Sequence, residues 1–175
     1  GNAIDATVAA SFVISVVRPQ STGIGGGGFL LFHEVDTNKT HAYDFRERAP
    51  IAAQKDMYIN PDNSVKKFSY MGKNLGKASV NGHLAVGTPG LVAGLIEVHQ
   101  KWGKKPFDQL VQPAIDIAEN GFKVYPSLHR GIVKRQKLLE SIEASKKIFL
   151  PKGRPLNEGE WLVQKDLAKT LRLIQ

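Results

Sequence analysis

Residues 2–17, "NAIDATVAASFVISVV", are apolar on nearly every side of a helical wheel, and this predicts a helix buried all round. Asn2 is placed to cap it, Asp5 three residues on favours its N-terminus, and Arg18-Pro19 ends it. Beyond a glycine-rich stretch the period changes. "FLLFHEV", the polar "DTNK" and "THAYDFRE" predict a β-hairpin, with His41, Tyr43 and Phe45 on one face of its second strand and Ala42, Asp44 and Arg46 on the other. Residues 51–80 have weak periodicity and turn formers such as "NPDNS", so irregular surface with short helices is expected. Thr88-Pro89 reads as a helix start, with Thr88 as N-cap, leading into "GLVAGLIEVHQKW" and ending at Gly103. "FDQLVQPAIDIAEN" follows, stopped by Gly121 and kinked or divided at Pro113. Further helical patterns run from Ser127 to Ser145 and from Gln164 to the end. A buried helix, a hairpin, an irregular segment and a run of helices make an α+β layout, read as a single partial domain over residues 1–175. The sequence begins directly on one helical pattern and stops inside another, "DLAKTLRLIQ", with no stop signal, so a piece of a longer protein is expected.

Composition narrows the class. A chain of 175 residues, 42% hydrophobic and 23% charged, is long and apolar enough to bury a core as a soluble globular protein. The longest apolar stretch, around Val8 to Val17, is broken by Ser11 and Ser15 and is too short to cross a bilayer. No signal-peptide pattern is visible. With no cysteine, the chain holds no disulfide, thiol nucleophile or thiolate metal site. The net charge of +8 is uneven: residues 1–95 carry 9 basic and 7 acidic residues, residues 96–175 carry 15 and 9. Clusters such as Lys104-Lys105, Lys134-Arg135-Lys137 and Lys146-Lys147 raise nucleic-acid binding, but no aromatic platform or groove-reading motif accompanies them. A solvated face, or one covered by further acidic sequence, is the reading preferred.

Gly23, Gly25 and Gly28 in "GIGGGGF" satisfy G-x-G-x-x-G. A dinucleotide loop needs strand, glycines, then helix, because the helix N-terminus holds the pyrophosphate. Here the predicted order is helix, glycines, strand, so the glycines are read as a close backbone approach or positive-φ positions rather than a nucleotide site. The histidines, His33, His41, His83, His99 and His129, show no metal-ligand spacing, and no metal or cofactor is expected. Thr40-His41 sits on alternating strand faces and does not form a nucleophile–base pair. The most informative polar cluster is "DFRERAP". Arg46, at a strand end on the same face as Asp44, is suited to clamp a carboxylate bidentately. Spacing alone favours the competing reading, an internal salt bridge of Arg46 with Asp44 or Glu47.

"GNAIDATVAASFVISVVRPQSTGIGGGGFLLF", "AYDFRERAP", "LAVGTPGLVAGLIEVHQKWG" and "VQPAIDIAENGF" together resemble the γ-glutamyltransferase (γ-glutamyltranspeptidase) family, and the likeness continues through "PLNEGEWLVQKDLAKTL". The resemblance implies an N-terminal-nucleophile hydrolase with an αββα sandwich, made as a precursor that cuts itself into a large and a small subunit. Family members use the N-terminal Thr of the small subunit to take a γ-glutamyl group from glutathione or a γ-glutamyl amide and pass it to water, an amino acid or a peptide. This chain corresponds to the N-terminal part of the large subunit, so no catalytic residue is expected in it. The small subunit is its expected partner, and it should be inactive alone. Arg46 matches the arginine of the family's "FRE" motif, which holds the substrate's α-carboxylate, and this reverses the preference for a salt bridge. The resemblance also implies a periplasmic or secreted location. It leaves open the related acylases (cephalosporin or glutaryl acylases and poly-γ-glutamate depolymerases) and a non-catalytic module. As a fragment, the chain is expected to expose a face that normally packs on the rest of the sandwich, and so to self-associate or be marginally stable.

Overall fold

In the computed structural model, which describes residues 1–175, the elements in order are α1 (Ala3–Val17), β1 (Phe29–Glu34), β2 (Lys39–Asp44), β3 (Lys67–Tyr70), β4 (Lys73–Lys77), α2 (Leu91–Trp102), α3 (Phe107–Asn120), β5 (Phe122–Lys123), α4 (Pro126–Ser141), α5 (Glu143–Phe149), β6 (Trp161–Leu162) and α6 (Lys165–Ile174). The strands pair as three two-stranded sheets, β1–β2, β3–β4 and β5–β6. The fold class is α+β. Two compact units divide the chain: Gly1–Arg48, Thr88–Phe122 and Val163–Gln175 form the first, Ala49–Gly87 and Lys123–Leu162 the second.

In the first unit, α1 begins with a reciprocal cap. The Asn2 side chain accepts from the Asp5 N–H at 2.9 Å, and the Asp5 carboxylate accepts from the Asn2 N–H at 2.8 Å. Asp5 also accepts from the backbone N–H of Lys104 at 2.9 Å and Lys105 at 3.2 Å, so one buried carboxylate fastens the start of α1 to the α2–α3 connection. Burial alone would raise its pKa, but the N–H groups of Lys104, Asn2 and Lys105 outweigh that and hold it below the usual carboxylate range. Ile4, Val8, Phe12 and Val16 then recur one turn apart and face Val111, Ala114, Ile115 and Ala118 of α3 and Leu91, Leu95 and Val98 of α2. The expectation of a helix buried all round is corrected. This stripe is covered, with Asp5 and Ser15 beside it, while Ala6, Thr7, Ala10 and Ile14 are exposed. At the other end, buried Gln164 caps the start of α6 and donates from its amide to the Val16 carbonyl at 2.9 Å. Ala168 and Leu171 of α6 close the core against α3.

The hairpin forms as the alternation predicts. β1 and β2 are antiparallel from Phe29↔Asp44 to Glu34↔Lys39, and the turn is Val35–Asn38, one residue earlier than the polar run suggests. Leu30 is buried, with Phe32, Tyr43 and Phe45 packed beside it, while Phe29, Leu31 and Val35 are exposed on the opposite side. Two helix expectations change. α2 starts at Leu91 after Gly90, because Thr88 is occupied otherwise: it forms a β-bridge with Arg48. α3 is not divided at Pro113, which lies inside one helix from Phe107 to Asn120, and Gly121 stops it at φ 87°, a conformation suited to glycine.

In the second unit, residues 51–80 hold more order than their sequence suggests. β3 and β4 form a hairpin whose turn, Met71-Gly72, has φ of 48° and 75°. Two positive φ values are the signature of the hairpin turn that matches strand twist, and Met-Gly is a weak sequence signal for it. The core here is Ala78, Val124, Leu128, Ile132, Leu150, Leu156 and Leu162. The charge asymmetry follows the units, not the sequence halves. The second unit carries 14 basic and 6 acidic residues, 14 − 6 = +8, and the first carries 10 of each, so the whole net charge sits on the second.

Glu160 organises the loop before β6. Its carboxylate accepts from Arg154 at 2.8 and 3.0 Å, from Lys152 at 2.9 Å and from the Asn157 N–H at 2.7 Å. Arg154, then the Asn157 N–H, then Lys152 hold its pKa far below the ordinary 4.5. A depressed folded-state pKa contributes stability that is present above the unfolded value and is lost as pH falls toward the folded one. The stability gap between wild type and Glu160→Gln is therefore expected to be full at pH 7 and to shrink steadily below about pH 4.5. Urea melts of both proteins at pH 7, 5, 4 and 3 check this, and a gap that does not change with pH contradicts it.

Candidate functional site

β2 delivers the "DFRE" segment to a crowded junction. Gly28 and Phe45 extend the hairpin by one exchanged pair of backbone hydrogen bonds, at 3.0 and 3.3 Å. Arg48 and Thr88 exchange another pair, at 3.2 and 2.8 Å, so the segment is tied at both ends. The Phe45 ring lies against Gly28 of the loop and Gly94 of α2: a Cβ on Gly94 would come within 2.3 Å of it, and one on Gly28 within 3.1 Å. The Gly26 carbonyl accepts from the Gly90 and Leu91 N–H groups at 3.1 and 3.0 Å, joining the glycine loop to the start of α2.

Of the two roles expected of the glycine run, the close backbone approach is found: it lies against Phe45–Glu47 and the start of α2. The other is not, since none of Gly23 to Gly28 has positive φ. The order helix, loop, strand stands as read, and the Gly28 N–H is spent on Phe45 and the Gly26 N–H on Gly23.

Within this frame Arg46 is exposed. Its backbone N–H donates to the Asp44 carboxylate at 3.0 Å, an Asx-type turn that fixes the chain direction at the strand end. The salt-bridge reading of the spacing is corrected: Arg46 pairs with neither Asp44 nor Glu47, because Asp44 spends its contact on the backbone. An exposed guanidinium on a backbone held at both ends offers a planar two-pronged donor to an incoming carboxylate.

The remaining polar candidates have structural partners. The Thr40 hydroxyl lies 3.1 Å from His33 Nδ1, across the hairpin, and not against His41. His41 stacks with Phe32 and Trp102, at centroid distances of 6.1 and 4.6 Å, with Nε2 3.6 Å from the Glu34 carboxylate. His99 Nε2 meets the Lys105 carbonyl at 2.7 Å, and His129 Nδ1 meets the Leu156 carbonyl at 2.8 Å. What spacing missed is the part played by Gly27, Thr88 and Gly90 in holding "DFRE". The only trace in the sequence is "TPG", which also fits a helix start.

The whole chain, residues 1–175, matches the gamma-glutamyltranspeptidase family. It is 43% identical over 175 residues to the glutathione hydrolase proenzyme of Bacillus subtilis strain 168, and covers 100% of itself and 28% of that relative. The crystal structure of Helicobacter pylori gamma-glutamyltranspeptidase superposes with a TM-score of 0.88 at 40% identity, covering 99% of this chain and 47% of that one. The cephalosporin acylase of Bacillus halodurans is further off, with a TM-score of 0.79 at 27% identity over 99% of this chain and 31% of that one. The chain thus spans between a quarter and a half of the proteins it resembles, and over its full length it belongs to the gamma-glutamyltranspeptidase family.

Proposed function

We propose that this chain is the N-terminal part of the large subunit of a γ-glutamyltransferase, and that Arg46 holds the α-carboxylate of the γ-glutamyl donor. The exposed, unpaired guanidinium of Arg46 on a backbone fixed by Gly28, Asp44 and Thr88 carries the reading. The match to relatives named glutathione hydrolase proenzyme supports the reaction class and a precursor. In the proposed mechanism an N-terminal Thr of the small subunit, outside this chain, attacks the γ-carbonyl with its own α-amine as base. The amide bond breaks, the leaving amine departs, and water or an amino acid or peptide takes the acyl group. The αββα sandwich and self-cleavage belong to that whole precursor. The small subunit is the proposed partner, and the exposed Phe29 and Leu31 of β1, with Val35 of the following turn, are consistent with further protein covering that face. No helix of this chain is long and apolar enough to cross a membrane, and a periplasmic or secreted location is part of the proposal by family likeness.

The likeness to a cephalosporin acylase favours one second reading, an acylase of glutaryl-type substrates. A glutaryl group keeps the terminal carboxylate and lacks only the α-amine, so Arg46 suits both. Steady-state cleavage of a γ-glutamyl anilide and a glutaryl anilide by the full-length precursor separates them. Turnover of the γ-glutamyl compound with poor use of the glutaryl one is expected. A processed protein that cleaves only the glutaryl compound would move the assignment to the acylases.

A further inference from the structure

We propose that Gly27 and Gly90 are positioning residues for Arg46: both lie against the Phe45–Arg46 peptide at distances that leave no room for a side chain, and so set where the guanidinium points. This rests on the reading of Arg46 as the carboxylate clamp. A Cβ on Gly27 would fall 2.4 Å from the Phe45 carbonyl oxygen, 2.7 Å from the Glu47 nitrogen and 2.9 Å from the Arg46 carbonyl carbon. A Cβ on Gly90 would fall 2.2 Å from the same Phe45 oxygen and 2.8 Å from the Phe45 carbonyl carbon. These obstacles are backbone atoms, which have no rotamer to yield. Neither glycine has positive φ, so what each supplies is absence of bulk. Gly23 and Gly25, in the same loop, have open space where a Cβ would be. Gly27 and Gly90 are thus the two glycines whose missing Cβ would strike the backbone of the Phe45–Arg46 peptide.

The two glycines also hold each other's elements: the Gly26 carbonyl, one residue before Gly27, accepts from the N–H of Gly90 and Leu91. A methyl group at either position must push the Arg46 peptide outward, since the Asp44 and Thr88 ties prevent the segment from moving along its own axis. The shift moves the guanidinium relative to a carboxylate bound elsewhere in the active site. An ångström of misplacement in a substrate-positioning group costs on the order of 100-fold in rate.

The test uses the full-length precursor and two anilides, γ-glutamyl and 4-aminobutyryl; the second keeps the amine and lacks the α-carboxylate. Gly27→Ala and Gly90→Ala are expected to raise KM for the γ-glutamyl anilide by about 10- to 100-fold, with a smaller change in kcat, and to leave kcat/KM for the 4-aminobutyryl anilide within about twofold. Gly25→Ala should change neither. If Arg46→Ala abolishes the preference for the γ-glutamyl anilide but the glycine variants keep it, the positioning role is wrong and the clamp stands. If Arg46→Ala keeps the preference, the clamp itself is wrong. If the glycine variants fall equally on both substrates, they act on the fold alone and the inference is overturned. Should either variant fail to fold, Gly28→Ala replaces it, because its Cβ would meet only the Phe45 ring edge at 3.1 Å. A selective loss of about 3- to 10-fold is then expected, and an unchanged preference overturns the inference.

Discussion

Arg46→Ala in the full-length precursor is expected to lower kcat/KM for a γ-glutamyl anilide by about 30- to 3,000-fold. Truncating one partner of a hydrogen-bonded charge pair in a desolvated site costs about 2–5 kcal/mol, at about 1.4 kcal/mol per decade. Self-cleavage and thermal stability should be unchanged, because the Arg46 guanidinium forms no ion pair in this chain and is exposed. That separation is what the structure adds to the motif. An arginine braced by Asp44 or Glu47 at this exposed position would lose about 0–1 kcal/mol of stability on truncation, whereas here Asp44 holds the backbone N–H and leaves the guanidinium unpaired. Arg46→Lys should recover only part of the loss, since an ammonium is a point charge and cannot present two parallel N–H groups. A variant that fails to process would show that Arg46 is structural.

Phe12→Ala is expected to be the most destabilising single change in the first unit, by about 3–5 kcal/mol. Its ring is wholly buried between α1 and its neighbours and meets Phe107 edge to face, with centroids 5.8 Å apart at 81°. The site has little means of collapsing: Val8, Val16, Val111, Ala114 and Ile115 are also fully buried, and α1 is fixed at one end by Asp5 and at the other by Gln164. A double-mutant cycle with Phe107→Ala should return a coupling of about 0.5–1.5 kcal/mol, the range for aromatic pairs. Denaturant unfolding of the full-length protein measures both. A midpoint unmoved by Phe12→Ala would mean that the core does not depend on α1.

Periodicity located the elements whose burial is local. The Asn2 cap of α1, the hairpin faces and the Gly103 and Gly121 stops lie where spacing puts them, because each is decided within a few residues. The failures share a cause. Thr88 caps no helix because it is claimed by Arg48, 40 positions earlier, and no local signal carries that pairing. Met71-Gly72 turns a hairpin that its neighbours do not announce, since Lys67, Ser69 and Lys73 give no clean alternation. α1 reads as buried all round, yet one face is open here, as its apolar face exceeds what α2 and α3 can cover. At the site, Arg46 was legible as a residue type in a suggestive place. Whether it pairs internally was not, because Asp44 can reach either the guanidinium or the backbone N–H with the same spacing. The glycines that matter, Gly27 and Gly90, look like their neighbours in sequence and differ only in what a Cβ would strike.

The most direct test of Arg46 as the carboxylate clamp is the ratio of kcat/KM for the γ-glutamyl anilide to that for the 4-aminobutyryl anilide, measured on the processed full-length enzyme with and without Arg46→Ala. The account predicts a strong preference for the γ-glutamyl compound in wild type that falls to near unity in the variant, through loss on the carboxylate-bearing substrate alone. A preference that survives Arg46→Ala would contradict it and place the carboxylate's partner elsewhere in the enzyme.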